Sequence, residues 1–203
     1  MQTPSFEAIG ADGYAIDNFV VNGVGDSEAE IQVMNAAGSW VGDYFWYNEF
    51  SDGDTVYPAG WFESDGATPA DITLQSGDGV FFYTRLSGVS LQSAGQVAGS
   101  VTKYVPSGYS MIGNSTPVAI NADDLMVIGV GDSEAEIQVM DASGSWVGDY
   151  FWYNEFTDGD TVYPAGWFES DGATPANLTL RAGDTVFFYT RLSGVQVSIP
   201  AAL

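Results

Sequence analysis

The feature that most constrains this chain is an internal duplication. Residues 24–89 align without a gap to residues 130–195, at an offset of 106. Of those 66 positions eight differ (35/141, 37/143, 51/157, 71/177, 72/178, 75/181, 76/182 and 79/185), leaving 58 identical. Stretches this alike must adopt nearly the same supersecondary arrangement, so the chain reads as two tandem units. The boundary is placed after Ala94, giving a first repeat over 1–94 and a second over 95–203. A length of 203 residues suits one large domain or two small ones.

The flanks are unequal. Copy two is preceded by the lead-in Ser90–Ile120, with strand-like runs at Val101–Val105 and Tyr109–Asn114. Copy one has only Met1–Ile16 in that position. The first repeat is therefore expected to lack one or two leading strands and to expose a sheet edge, a template for further pairing.

The pattern is β throughout. Ala29, Ile31 and Val33 alternate with Glu28, Glu30 and Gln32 at period two, which reads as a half-buried strand. Ser39–Phe50 is an aromatic strand, closed by the turn residues Ser51-Asp52-Gly53-Asp54. Further strands are expected at Trp61–Glu63, Val80–Leu86, Val89–Val97 and Val101–Val105, with single helical turns at Ala67–Ile72 or Asn121–Met126. The expected fold is all-β: two tandem near-identical repeats, each a small β-sandwich or open barrel, related by pseudo-symmetry.

Composition narrows the chemistry. There are 27 Asp plus Glu against four cations (Arg85, Lys103, Arg181 and Arg191), for a net charge of −23. Four cations cannot neutralise a run of phosphates, so no nucleic-acid partner is expected. No run of about 18 apolar residues is present, so no membrane insertion is expected. Without Cys or His there is no thiol nucleophile, no imidazole base and no disulfide. The start of the chain has no basic and apolar leader, so it reads as a mature form without a signal peptide.

Several runs resemble a known pattern. They are Ile72-Thr73-Leu74-Gln75-Ser76-Gly77-Asp78-Gly79-Val80-Phe81-Phe82-Tyr83, then Val89-Ser90-Leu91-Gln92-Ser93-Ala94-Gly95-Gln96-Val97, then Gly108-Tyr109-Ser110-Met111-Ile112-Gly113-Asn114. Together they resemble the uncharacterised two-repeat all-β proteins of gut and aquatic bacteria, secreted or held at the cell surface. That resemblance implies an all-β structure and export, and it transfers no catalytic residue.

Candidate sites follow from residue type and spacing. Asp26, Glu28 and Glu30, with Asp132, Glu134 and Glu136, recur at period two. On one strand such neighbours lie about 6.5–7 Å apart on one face. They face either open solvent or a bridging Ca²⁺, the one cofactor the sequence suggests. In the run Ser39–Phe50, Trp40, Tyr44, Trp46 and Phe50 are assigned to one face, and Val41, Phe45 and Tyr47 to the other. Rings beside Asn, Asp and Glu suit a sugar platform, so Trp40, Tyr44, Trp46, Tyr47 and Trp61 are candidate glycan contacts, with Trp146, Tyr150, Trp152, Tyr153 and Trp167 in copy two. Arg85 and Arg191 are expected to pair with carboxylates of their own repeat.

Three functions are expected, in this order. The first is a non-enzymatic extracellular structural protein that associates with copies of itself into a surface layer or filament. In that reading the N-terminal segment, or the Val195–Leu203 tail of another subunit, docks at the open edge. The second is a glycan-binding adhesive module with two equivalent sites. The third is a glycoside hydrolase using Glu49 with Glu63, or Asp43 with Glu49, and their counterparts Glu155, Glu169 and Asp149.

Overall fold

The computed structural model describes residues 14–34, 38–75, 77–92, 99–114, 116–140 and 145–201. The Asn35–Ala37 turn, the strand continuing to Val97, the Met1–Gly13 segment and the last two residues of the tail lie outside them.

The fold is all-β. Copy one carries β1 (Tyr14–Ala15), β2 (Val20–Asn22), β3 (Ala29–Met34), β4 (Trp40–Tyr47), β5 (Phe50–Asp52), β6 (Thr55–Tyr57), β7 (Gly60–Phe62), β8 (Thr73–Leu74), β9 (Val80–Thr84) and β10 (Ser90–Gln92). The lead-in supplies β11 (Val101–Val105) and β12 (Gly108–Gly113). Copy two continues with β13 (Ile120–Asn121), β14 (Met126–Ile128), β15 (Ala135–Met140), β16 (Trp146–Tyr153), β17 (Phe156–Asp158), β18 (Thr161–Tyr163), β19 (Gly166–Phe168), β20 (Thr179–Leu180), β21 (Thr185–Thr190) and β22 (Val195–Ile199). Of the two helical turns expected, one forms: a 3-10 turn at Ala122–Asp124, matched by another at Ile16–Asn18.

The strands form several separate sheets, and among the described residues none closes into a barrel. In copy one the main sheet has the order β7-β4-β3-β9, and β10 pairs with β2. In copy two the main sheet is β19-β16-β15-β21-β12, and the second sheet is β11-β22-β14. The pairings of β3 with β4 and β9 recur 106 residues on, between β15, β16 and β21. In each copy the inward residues of the two sheets meet in their own core, giving a sandwich-like packing. One core gathers Ile31, Tyr44, Trp46, Trp61, Phe82 and Leu91 with Ile16 and Phe19. The other gathers Ile137, Trp152, Trp167, Phe188 and Val197 with Leu125, and adds Val105 and Ile112 from the lead-in.

Alternation carries this arrangement. Along β3, Ala29, Ile31 and Val33 are buried while Glu30, Gln32 and Met34 are partly exposed. The deepest side chains, Trp61 and Trp167, each satisfy their indole N–H within the core. Trp61 Nε1 donates to Phe19 O at 2.8 Å and Trp167 Nε1 to Leu125 O at 3.1 Å. Trp46 meets Trp61 edge to face at 5.5 Å, the geometry ring quadrupoles favour.

β12 lies on β21 and β11 on β22. The segment expected to lack their counterparts in copy one, Met1–Gly13, lies outside the described residues. The C-terminal strand is not free to dock elsewhere. β22 is the central strand of its sheet, paired on both sides, and Val197 and Ile199 are fully buried.

The two copies meet at the turn before β9. Gly113 N donates to Gly77 O at 3.1 Å. Lys103 Nζ reaches Asp78 Oδ1 at 2.6 Å and also donates to Met111 O at 3.0 Å. This is the only ion pair among the described residues. The expected Arg–carboxylate pairs are absent there; Arg85 Nε instead donates to Tyr83 Oη at 3.2 Å. Two of the eight differences between the copies, at 75/181 and 79/185, fall at this turn and its counterpart.

Candidate functional site: the outer face of each main sheet

A β-bulge sets the character of this face. In β4, Val33 lies opposite Gly42 but Met34 lies opposite Trp40, so Val41 is the extra residue. Residues opposite each other share a face, and one inserted residue switches the side chains beyond it. Trp40 is therefore turned outward with Met34, away from Tyr44 and Trp46. The same shift at Val139/Met140 turns Trp146 outward. Trp40 is 50% exposed and Trp146 55%. The expectation that Trp40 shares a face with Tyr44 and Trp46 is thus corrected, because strict alternation does not anticipate a bulge.

The rows beside these indoles are mixed aromatic and polar. Gln32 lies between Asp43 and Phe81, and Glu30 lies between Phe45 and Tyr83. Gln32 Nε2 donates to Glu30 Oε1 at 2.6 Å, and Gln138 Nε2 to Glu136 Oε1 at 2.5 Å. In copy two Trp146 packs edge to face on Phe187 at 5.4 Å. β12 widens that face by setting Tyr109 against Tyr189, with ring centroids 4.8 Å apart.

The other end of the face is closed by its own hairpin. β5 and β6 fold across β7, stacking Phe50 on Tyr57 at 4.8 Å and bringing Tyr47 to 5.6 Å from Phe62. Phe62, although it points outward, is only 2% exposed as a result. Phe50 belongs to this outer cluster, not to the face of Tyr44 and Trp46 expected for it, because the strand breaks at Asn48–Glu49.

The ten aromatic candidates thus separate. Trp46, Trp61, Trp152 and Trp167 are core residues, 4% exposed or less, and no ligand can stack on them. Tyr44 is also buried, and Tyr150 packs partly buried against the copy-two core. The Tyr44 ring lies over Gly42, where a Cβ would come within 2.7 Å of its hydroxyl, so a side chain there would displace the ring. Burial, then the charges of Glu63 and Asp43, pushes the Tyr44 hydroxyl pKa up. Tyr47 and Tyr153 sit in the hairpin clusters, leaving Trp40 and Trp146 as the accessible indoles. Phe81, Tyr83, Phe187, Tyr189 and Tyr109 also lie on this face, although they are not among the candidate glycan contacts named from sequence. Their period-two placement beside Val80, Phe82, Val186 and Phe188 was the available signal.

The acidic rows are not brought together as a strand face. Asp26 and Glu28 lie in the turn before β3, where Ser27 has φ +57°, and only Glu30 is in the strand. Each carboxylate has its own N–H donors. Asp26 accepts from Asn48 N at 2.9 Å and Nδ2 at 3.0 Å, and Glu28 accepts from Gly25 N at 2.5 Å. Asp132 and Glu134 repeat this with Asn154 and Gly131, while Glu136 takes Gln138. Among the described residues no three Asp or Glu side chains gather as a metal cluster. Of the candidate hydrolase carboxylates, Asp43 lies within β4, Glu49 in the turn after it and Glu63 just beyond β7, all exposed.

Compared with known protein families, curated proteins and solved structures, the chain matches none. No helix among the described residues is long and apolar enough to cross a membrane.

Proposed function

We propose that the chain is a non-enzymatic extracellular binding module that presents two equivalent faces to neutral glycans. The observation that carries this reading is the pair of outward-turned indoles, Trp40 and Trp146, each half exposed at the same place in its copy. A flat ring covers the apolar face of a pyranose, and neighbouring amide and carboxylate groups take its hydroxyls. Here those groups are Gln32, Glu30 and Asp43, and Gln138, Glu136 and Asp149. A net charge of −23 disfavours anionic polysaccharides, which directs the reading to uncharged ones. Affinity electrophoresis through gels containing neutral polysaccharides tests it. Retardation lost in a Trp40→Ala, Trp146→Ala double variant supports the reading; equal mobility of both proteins in every gel overturns it.

A second reading, association with copies of itself into a layer or filament, is favoured by β9, an edge strand that pairs only with β3 among the described strands. Light scattering across protein and salt concentration tests it, since salt screens the repulsion between acidic subunits. A constant monomer mass removes it.

A further inference from the structure

Taking the outer faces as glycan sites, as above, we propose that copy two carries the stronger one: a strip of four rings (Trp146, Phe187, Tyr189 and Tyr109) that takes a neutral polysaccharide along several consecutive sugars. The strip is continuous. Trp146 packs edge to face on Phe187 at 5.4 Å, and the Tyr189 and Tyr109 ring centroids are 4.8 Å apart. Phe187 and Tyr189 stand two residues apart on β21, which places them on one face about 6.5–7 Å apart. The two ends of the strip are open to solvent, Trp146 at 55% and Tyr109 at 43% exposed. Phe187 and Tyr189 between them are half-buried.

A polar row runs beside the rings with the same repeat. On β15, Glu136 lies opposite Tyr189 and Gln138 opposite Phe187, again two residues apart. Gln138 Nε2 donates to Glu136 Oε1 at 2.5 Å, which holds both groups in place, and Asp149 follows on the far side of Gln138. A ring and a hydrogen-bonding group thus recur together along the strands. That suits a ligand of repeating units, each with an apolar face and hydroxyls at its rim. A single sugar would meet one ring and one polar group and leave the rest of the strip in water.

Tyr109 is what separates the copies. It comes from the lead-in, outside the duplicated residues 24–89 and 130–195. Its strand, β12, is held from the side by copy one. Gly113 N donates to Gly77 O at 3.1 Å, Lys103 Nζ, paired with Asp78, donates to Met111 O at 3.0 Å, and a Cβ on Gly38 would strike Tyr109 O. A ring fixed before the ligand arrives loses less freedom on binding. Trp146 is likewise braced by Phe187, whereas among the described residues no ring packs on Trp40. The matching repeat residues of copy one (Trp40, Phe81, Tyr83, Glu30 and Gln32) therefore make a looser site.

The test uses the full chain in affinity gels containing soluble starch, galactomannan or xyloglucan, then calorimetry with fragments of whichever polysaccharide retards it. Affinity is expected to rise at least about tenfold from the single sugar to fragments of several units. Trp146→Ala should weaken polymer binding at least about tenfold, and so should Tyr109→Leu, which keeps apolar bulk beside Tyr189 but removes the flat ring. Tyr109→Phe should bind as the parent does, and Trp40→Ala should lose less than about threefold. Should Tyr109→Leu fail to fold, the fragment series and the comparison of Trp146→Ala with Trp40→Ala decide alone. Equal losses in Trp40→Ala and Trp146→Ala, full binding by a folded Tyr109→Leu protein, or an affinity independent of fragment length each overturn the proposal and leave two equivalent sites standing. No retardation of the parent in any gel removes the glycan reading itself, and this proposal with it.

Discussion

Gly79 and Thr185 occupy the same place in the two copies, 106 residues apart, and they lie against each other where the copies meet. A Cβ on Gly79 would stand 3.0 Å from Thr185 Oγ1 and 3.2 Å from Met111 Cβ. The equivalent residues differ because each fits the other: one copy supplies the space that the other fills. The Thr185 hydroxyl is buried there with no hydrogen-bond partner among the described residues.

Two substitutions at this contact should move stability in opposite directions. Gly79→Thr forces side chains into a filled gap and is expected to cost about 1–3 kcal/mol. Thr185→Val keeps the shape, removes the unpaired hydroxyl and is expected to stabilise by about 1 kcal/mol. Urea denaturation of both variants reads the difference, and a Thr185→Val protein less stable than the parent contradicts the packing described.

The Lys103–Asp78 bridge ties the lead-in of copy two to copy one, with both side chains less than a quarter exposed. Lys103→Met should cost about 1 kcal/mol, a modest figure because Asp78 Oδ2 keeps its bond from Gln75 N at 2.7 Å. Salt should narrow the gap between parent and variant while raising both melting temperatures through screening of the net charge. A gap that widens with salt would argue against the ion pair.

The indoles should divide by depth. Trp61→Ala or Trp167→Ala empties the core and leaves a backbone carbonyl unpaired, with an expected loss of about 3–5 kcal/mol. Trp40→Ala and Trp146→Ala should change stability by less than about 1 kcal/mol, because much of each ring is already in water. Thermal melts of the four single variants check this ordering independently of any ligand.

Asp65 and Asp171 should confer an acid-sensitive increment of stability. Backbone N–H donors of Thr68 and Ala67, with the Thr68 hydroxyl, hold the Asp65 carboxyl below its ordinary 3.8, and Thr174 with Ala173 do the same for Asp171. A carboxyl whose pKa is lower when folded stabilises the fold above its unfolded pKa and loses that contribution as pH falls through the folded value. The melting-temperature difference between the parent and an Asp65→Ala, Asp171→Ala variant should therefore be full at neutral pH and shrink below about pH 4. A difference independent of pH down to pH 2 would contradict it.

Much of the fold was legible in the sequence because the local signals agreed with the tertiary result. Alternation at Ala29–Met34 located β3, and the strand-like runs at Val101–Val105 and Tyr109–Asn114 located β11 and β12. The errors came where one residue breaks a period. Val41 shifts β4 by one position and takes Trp40 out of the face assigned to it. Ser27, in a left-handed conformation, ends the apparent alternation at Asp26 and Glu28, so a row of carboxylates in sequence is a turn in space. The burial of Trp46 and Trp152 could not be read from composition, because an aromatic strand beside acids looks the same whether its rings meet solvent or a second sheet.

The central position of β22 bears on the order of events during synthesis. The second sheet of copy two cannot close until residues 195–199 exist to fill the gap between β11 and β14, and β11 must wait while some 90 residues follow it. Copy one needs nothing beyond β10 for its described pairings, so it can fold while the ribosome is still making the rest. The lead-in then emerges beside a finished neighbour whose β9, over Val80–Thr84, has the same sequence as residues 186–190 of its eventual partner. The chain thus carries a built-in opportunity for mispairing during translation, one that the completed second copy resolves by offering β21 and β22 together.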